Sequence, residues 1–113
     1  MFEFPKTARL LRATYYTDVF RQPDLNLTYG PLRLRARKNR MAGARLGLVV
    51  TKKGTPKAFR RNRLKRLIRE SFRHEAPTLP SVDIVVQVFA QIDDDRLCSS
   101  LAQGFDRIRR EIS

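Results

Sequence analysis

Residues Thr55 to Arg73 read TPKAFRRNRLKRLIRESFR. The spacing predicts one helix. Thr55 offers a capping hydroxyl, and Pro56 suits the first helical position, where its missing N–H costs nothing. At about 100° per residue, Leu64, Leu67, Ile68 and Phe72 share one arc. Asn62, Arg63, Lys65, Arg66, Arg69 and Arg73 take the opposite arc. One side can enter a core while the other presents cations. A face that is merely solvated mixes signs, and here Glu70 is the single acid. Lys57, Arg60, Arg61 and Arg63 also crowd the first turns, beside the positive end of the helix dipole, where cations oppose helix formation. Such a helix calls for an anion, and a phosphate backbone supplies one.

The charge is concentrated around this helix. Of a net +13, the stretch Arg33 to Arg73 holds 16 Lys or Arg and one acid, while the rest holds 8 basic and 10 acidic side chains. Arginine outnumbers lysine 18 to 6, which favours phosphate and base recognition over simple solubility. Apolar residues make up 42% of 113, enough for one modest core and too many for a disordered polycation. The chain reads as a single domain, 1–113, with residues 1–13 an irregular N-terminal arm.

Before the helix, Leu32 to Arg37 alternates strictly, the period of a half-buried strand, with the leucines inward and Arg33, Arg35 and Arg37 on the opposite face. Arg45 to Thr51 is a second strand, and Lys52-Lys53-Gly54 links it to the helix. Pro23 to Gly30 reads as a loop or edge segment. Thr14 can cap a short helix, Tyr15 to Arg21, ended by Gln22-Pro23. On it Tyr16, Val19 and Phe20 share a face. Val19 belongs in a core, and Tyr16 and Phe20 are candidates for binding. After the basic helix, Val82 to Phe89 is a nearly continuous apolar run, as in a central strand. Asp93 to Ile112 forms the last helix, acidic at its start and basic at its end, as the dipole prefers.

Catalytic chemistry is missing from these patterns. His74 is the sole histidine, and Asp83 and Asp106 have no paired carboxylate in sequence. There is no P-loop, GxSxG, HExxH or GxGxxG. Cys98 is the sole cysteine, which suits a reducing compartment, and its place on the last helix reads as a buried small hydrophobe. No membrane span is visible. The positive inventory is a phosphate-facing helix, an arginine-lined strand, a Lys-Lys turn and two aromatics. That set suits single-stranded or structured RNA. A ribosomal or other structural RNA-binding protein would share much of it.

Asn62 between Arg61 and Arg63, continuing Leu64-Lys65-Arg66-Leu67-Ile68-Arg69, resembles the RNR helix of the protein subunit of bacterial ribonuclease P. Arg45-Leu-Gly-Leu-Val-Val-Thr-Lys-Lys53 resembles the strand leading into that helix. Tyr16 to Phe20 with Arg21 resembles the family's first helix, with tyrosine where phenylalanine is common. The resemblance implies an α+β fold, a single-domain α/β sandwich of order αβββαβα. Its mixed sheet would have a left-handed crossover at the RNR helix, against the ordinary handedness rule. It implies a cytoplasmic ribonucleoprotein that removes the 5′ leader from precursor tRNA. The RNA subunit, with magnesium, would do the hydrolysis. The protein would bind no metal or cofactor itself and require no protein partner. On this resemblance Arg61, Asn62, Arg63, Lys65, Arg66 and Arg69 contact the catalytic RNA, and Tyr16, Phe20, Lys52 and Lys53 line the leader cleft. Charge and position add Lys57, Arg33, Arg35 and Arg37 as weaker RNA contacts.

Overall fold

A computed structural model describes residues 13–112. The expected N-terminal arm lies almost wholly outside them. The elements follow in the order α1 (Ala13–Arg21), β1 (Leu25–Tyr29), β2 (Leu32–Lys38), β3 (Arg45–Val50), α2 (Ala58–Glu75), a 3₁₀ turn (Ala76–Thr78), β4 (Val82–Val88) and α3 (Asp94–Glu111). This is the αβββαβα order. The four strands form one sheet in the order β1-β2-β4-β3. β1–β2 and β2–β4 are antiparallel, and β3–β4 is parallel, joined by α2 as its crossover.

Strand parity divides the sheet into two faces. Leu32, Leu34 and Ala36 of β2, Ile84, Val86 and Val88 of β4, and Leu46 and Val50 of β3 are buried beneath α2 and α3. α2 contributes Leu64, Ile68 and Phe72, and α3 contributes Leu97, Leu101, Phe105 and Ile108. Phe72 and Phe105 meet edge to face, with centroids 6.2 Å apart. On the other face α1 seats Val19, fully buried, against Val85, with Tyr16 and Val49 packed beside them. β4 pairs on both sides, which explains its unbroken apolar run. The segment before β2 becomes an edge strand closed by a two-residue loop, Gly30-Pro31. Gly30 takes φ +59°, a conformation that side chains resist.

Three expectations change. α2 begins at Ala58, with Lys57 as its N-cap and no side-chain cap, so Thr55 and Pro56 lie ahead of the helix. The cause is a turn over residues 51–55. Thr55 N–H donates to the Thr51 carbonyl at 2.9 Å, and Gly54 N–H donates to Thr51 Oγ1 at 3.1 Å. That turn abuts the chain after β4: a Cβ at Gly54 would sit 2.5 Å from the Phe89 carbonyl carbon and oxygen. α1 begins at Ala13, which places Thr14 inside the helix and not at its cap. Cys98 is exposed, because the buried arc of α3 extends through Ser100 to the other flank.

Candidate nucleic-acid interface

Two basic surfaces emerge, one on α2 and one on the sheet face under α1. On α2 the inward side chains recur at Leu64, Ile68 and Phe72, which forces the cations outward. Asn62, Arg63, Arg66 and Arg69 are exposed, and Arg61 and Lys65 are half-buried. Arg61 turns back on the preceding loop, donating from Nη1 to the carbonyls of Thr55 at 3.0 Å and Pro56 at 2.7 Å. Arg63 keeps 60% of its side chain exposed while pairing with Asp94 of α3 at 2.8 Å. Arg60 takes the other oxygen of Asp94 at 2.6 Å and the Ile92 carbonyl at 2.8 Å. The Arg63 guanidinium, and then that of Arg60, hold the Asp94 carboxyl below its ordinary range. Arg66 meets Glu70 one turn on, at 3.3 Å and well exposed, a weak pairing.

On the sheet, Arg33, Arg35 and Arg37 stand in a row on β2, opposite its buried leucines. Arg37 Nη1 donates to the Asp18 carbonyl of α1 at 3.1 Å. The Arg35 guanidinium lies 4.9 Å from the centroid of Phe20, and that of Arg33 lies 5.4 Å from Phe89. Phe20 is 37% exposed and Phe89 38%. Lys52 and Lys53 are exposed in the turn that passes beside Phe89. The sequence-predicted leader residues therefore separate. Phe20 presents its ring to solvent, whereas Tyr16 is half-buried in the Val19–Val85 cluster. At the far end of this face, Arg45 and Asp83, both buried, form a bidentate pair at 2.7 Å, and Asn39 Nδ2 adds a third bond to Asp83 at 2.7 Å.

Phe89 and Asp94 escaped the sequence reading. Phe89 continues the parity of Asp83, Val85 and Gln87 on the open face, a signal present in the sequence but masked by the apolar run. Asp94 carried a helix-start explanation. The structure gives that role to Asp93, whose carboxylate accepts from Arg96 N–H at 2.7 Å, and commits Asp94 to α2. His74 is exposed at the end of α2. Among the described residues, no group of His, Cys, Asp and Glu is arranged to hold a metal ion, and no helix is long and apolar enough to cross a membrane. The two basic surfaces can bind phosphates and stack bases. Neither assembles an acid–base pair.

Comparison with known proteins points the same way. The family model for ribonuclease P matches residues 4–109. The chain is 37% identical to the ribonuclease P protein component of Marinobacter nauticus over 111 residues, which is 96% of this chain and 83% of the relative. It is 40% identical to that of Yersinia enterocolitica over 111 residues, covering 96% and 92%. Among solved structures, the RNase P protein of Thermotoga maritima in complex with 1-(4-fluorophenyl)-2-thiourea superposes with a TM-score of 0.76 at 32% identity, covering 88% of this chain and 99% of that one. The RNase P protein of Staphylococcus aureus gives a TM-score of 0.78 at 21% identity, covering 94% and 98%, a likeness of fold.

Proposed function

The chain belongs to the ribonuclease P protein family, and from that premise we propose that its two basic surfaces divide the binding work of the enzyme. It is a protein component of ribonuclease P, an endoribonuclease holoenzyme that processes tRNA 5′ ends, and its partner is the RNA of that enzyme. A ribosomal or other structural role has no support among these relatives. In the proposed division, Arg61, Asn62, Arg63, Lys65, Arg66 and Arg69 on α2 hold the catalytic RNA, with Lys57 at the helix start. Phe20, Lys52 and Lys53 hold the single-stranded 5′ leader of precursor tRNA. Tyr16 shapes the floor under it, and Arg33, Arg35 and Arg37 supply phosphate contacts along it.

The observation that carries the leader reading is the pair of open aromatic rings, Phe20 and Phe89, each topped by an arginine on a sheet face that the main core does not use. Rings in water with cations over them offer unpaired bases a stack and their phosphates a charge. The chain's own residues bind and orient; the hydrolysis belongs to the RNA subunit and its magnesium, and the protein binds no cofactor. The assembly works in the cytoplasm and needs no second protein.

Reconstitution tests this. The purified protein with magnesium should leave precursor tRNA intact, and adding its RNA should give 5′ processing at magnesium concentrations where the RNA alone is slow. The reconstituted enzyme should bind precursor tRNA more tightly than mature tRNA. Specific 5′ cleavage by RNA-free protein, or equal affinity for the two tRNAs, would refute the division.

A further inference from the structure

On the α2–α3 side of the sheet, away from the arginine row, the turn before α2 and the loop before α3 border a half-open cavity of about 650 Å³. Thr55, Phe59, Arg60, Leu64, Ile92 and Arg96 are among its walls. We propose that this cavity receives one unpaired nucleotide of the catalytic RNA, its base stacked on Phe59. The inference rests on the reading above that α2 faces that RNA.

Size fits first: specific small-ligand sites run to about 300–1,000 Å³, room for a nucleoside. Phe59 comes next. It is 70% exposed in the first turn of α2, contributes nothing to the core, and has the Lys57 ammonium 5.9 Å from its ring centroid. An open ring with a cation beside it is a stacking platform. Helix geometry then aligns it with the RNA-facing row. At about 100° per residue, Phe59, Asn62, Arg63 and Arg66 fall within one arc of about 100°, so a strand running along Arg66 and Arg63 arrives at Phe59.

Thr55 supplies an independent observation. It is 4% exposed, lines the cavity, and its hydroxyl has no hydrogen-bond partner. That hydroxyl is sealed from water, and a bound ribose or base edge would satisfy it once the Thr55 side chain turns toward the cavity. The charges agree. Lys57 and Arg96 border the site together with Asp93 and with Arg60, whose guanidinium is held by Asp94 and the Ile92 carbonyl, and the start of α2 carries no acid and no side-chain cap. The nearby carboxylates are engaged: Asp93 caps α3, and Asp94 holds Arg60 and Arg63. A phosphate thus meets positive charge while the base meets Phe59, Leu64 and Ile92. The source is the catalytic RNA and not the leader, because Phe59 shares the α2 arc of Arg63 and Arg66, whereas Phe20 and the arginine row of β2 lie on the opposite face of the sheet.

The test uses the whole protein and its catalytic RNA. Phe59→Ala should weaken binding of that RNA about five- to 150-fold, the range for losing one stacked base. The dependence of binding on salt should keep its slope, since no charge is removed. The preference for precursor over mature tRNA should not change. Thr55→Val keeps the side-chain shape and deletes the orphan hydroxyl; it should melt no lower than the wild type and still bind the RNA several-fold more weakly. Phe59→Ala binding within twofold of wild type would overturn the proposal. So would a selective loss of precursor affinity, which would assign the nucleotide to the leader. A wild-type protein that fails to bind the catalytic RNA would overturn the underlying assignment of α2, and with it this pocket.

Discussion

Replacing Phe20 with alanine should separate binding from folding on the proposed leader surface. Phe20 is 37% exposed and is absent from the Val19–Val85 cluster that anchors α1, so its removal opens no sealed cavity. A buried Phe→Ala change costs about 3–5 kcal/mol, and Phe20 should fall well below that. The Arg35 contact, at 4.9 Å and near solvent, accounts for about 0.5–1 kcal/mol of what is lost. Binding behaves differently. A base stacked on the ring is worth about 1–3 kcal/mol, so the reconstituted enzyme should bind precursor tRNA about five- to 150-fold more weakly. Mature tRNA lacks the leader, and its affinity should stay within about twofold of wild type. Phe20→Leu keeps apolar area but offers no ring, and should resemble alanine in binding and the wild type in melting. Tyr16→Ala should reverse the balance, because Tyr16 packs on the buried cluster: a larger drop in melting temperature and a smaller selective effect. The measurements are thermal melts and the two tRNA affinities on the same variants. Equal losses for precursor and mature tRNA in Phe20→Ala, with a large fall in melting temperature, would refute the assignment of Phe20 to the leader.

Other perturbations test the rest of the scheme. Removing Arg63, Arg66 and Arg69 together should reduce the slope of log affinity against log salt for the catalytic RNA by about 2, at roughly 0.7–0.9 per phosphate contact; titrations at several salt concentrations read it, and an unchanged slope would place these arginines off the RNA. Asp94 has its carboxyl depressed in the folded state, so its contribution to stability is complete above the ordinary value of 3.8 and is lost as pH falls through the lower folded value. Melting curves of wild type and Asp94→Asn should therefore differ at neutral pH and converge in acid, and a constant gap across that range would contradict the linkage. Asp83→Ala removes the bidentate carboxylate partner of the buried Arg45 and should cost up to about 3–5 kcal/mol by denaturant unfolding. Replacing both partners with leucine should recover much of that loss, which would fail if the pair held α1-side packing by some other route.

What the sequence disclosed depended on periodicity, and what it hid depended on partners far along the chain. The inward arc of α2 and the alternation of β2 are local consequences of helix and strand geometry, and Leu64, Ile68, Phe72, Leu32 and Leu34 are where that geometry places them. The apolar run of β4 likewise announced a strand paired on both sides. The start of α2 was not legible because it is set by the turn at Gly54 packing on the backbone of Phe89, 35 positions away in the chain. Tyr16 and Phe20 looked equivalent at i and i+4; their different burial depends on Val49 and Val85, strands that the helix pattern does not mention. Cys98 sits at the border of the buried arc, where one neighbouring residue on the other flank decides which side is covered.

The basic face of α2 looked at first like a charge imbalance awaiting an external anion, and the structure refines that physical argument. Asp94 at the start of α3 answers Arg60 and Arg63 at the start of α2, and Glu75 at the end of α2 answers Arg109 at the end of α3, at 2.6 Å. The two helices therefore run in the same direction, and each end of α2 is matched by an opposite charge from its neighbour. Neutralisation remains incomplete. Between Lys57 and Arg69 the helix carries seven cations, and the described ion pairs set two carboxylates against them, Asp94 and Glu70. One of those pairs is an exposed i, i+4 contact of little weight. Asp94 leaves Arg63 mostly open to solvent while fixing the direction of its guanidinium. A side chain ordered before binding loses less freedom when a phosphate arrives, so a carboxylate inside a phosphate-binding face can add to affinity even as it subtracts charge. On that account the excess cations set the attraction, α3 sets their geometry, and the helix remains stable enough to wait for its RNA.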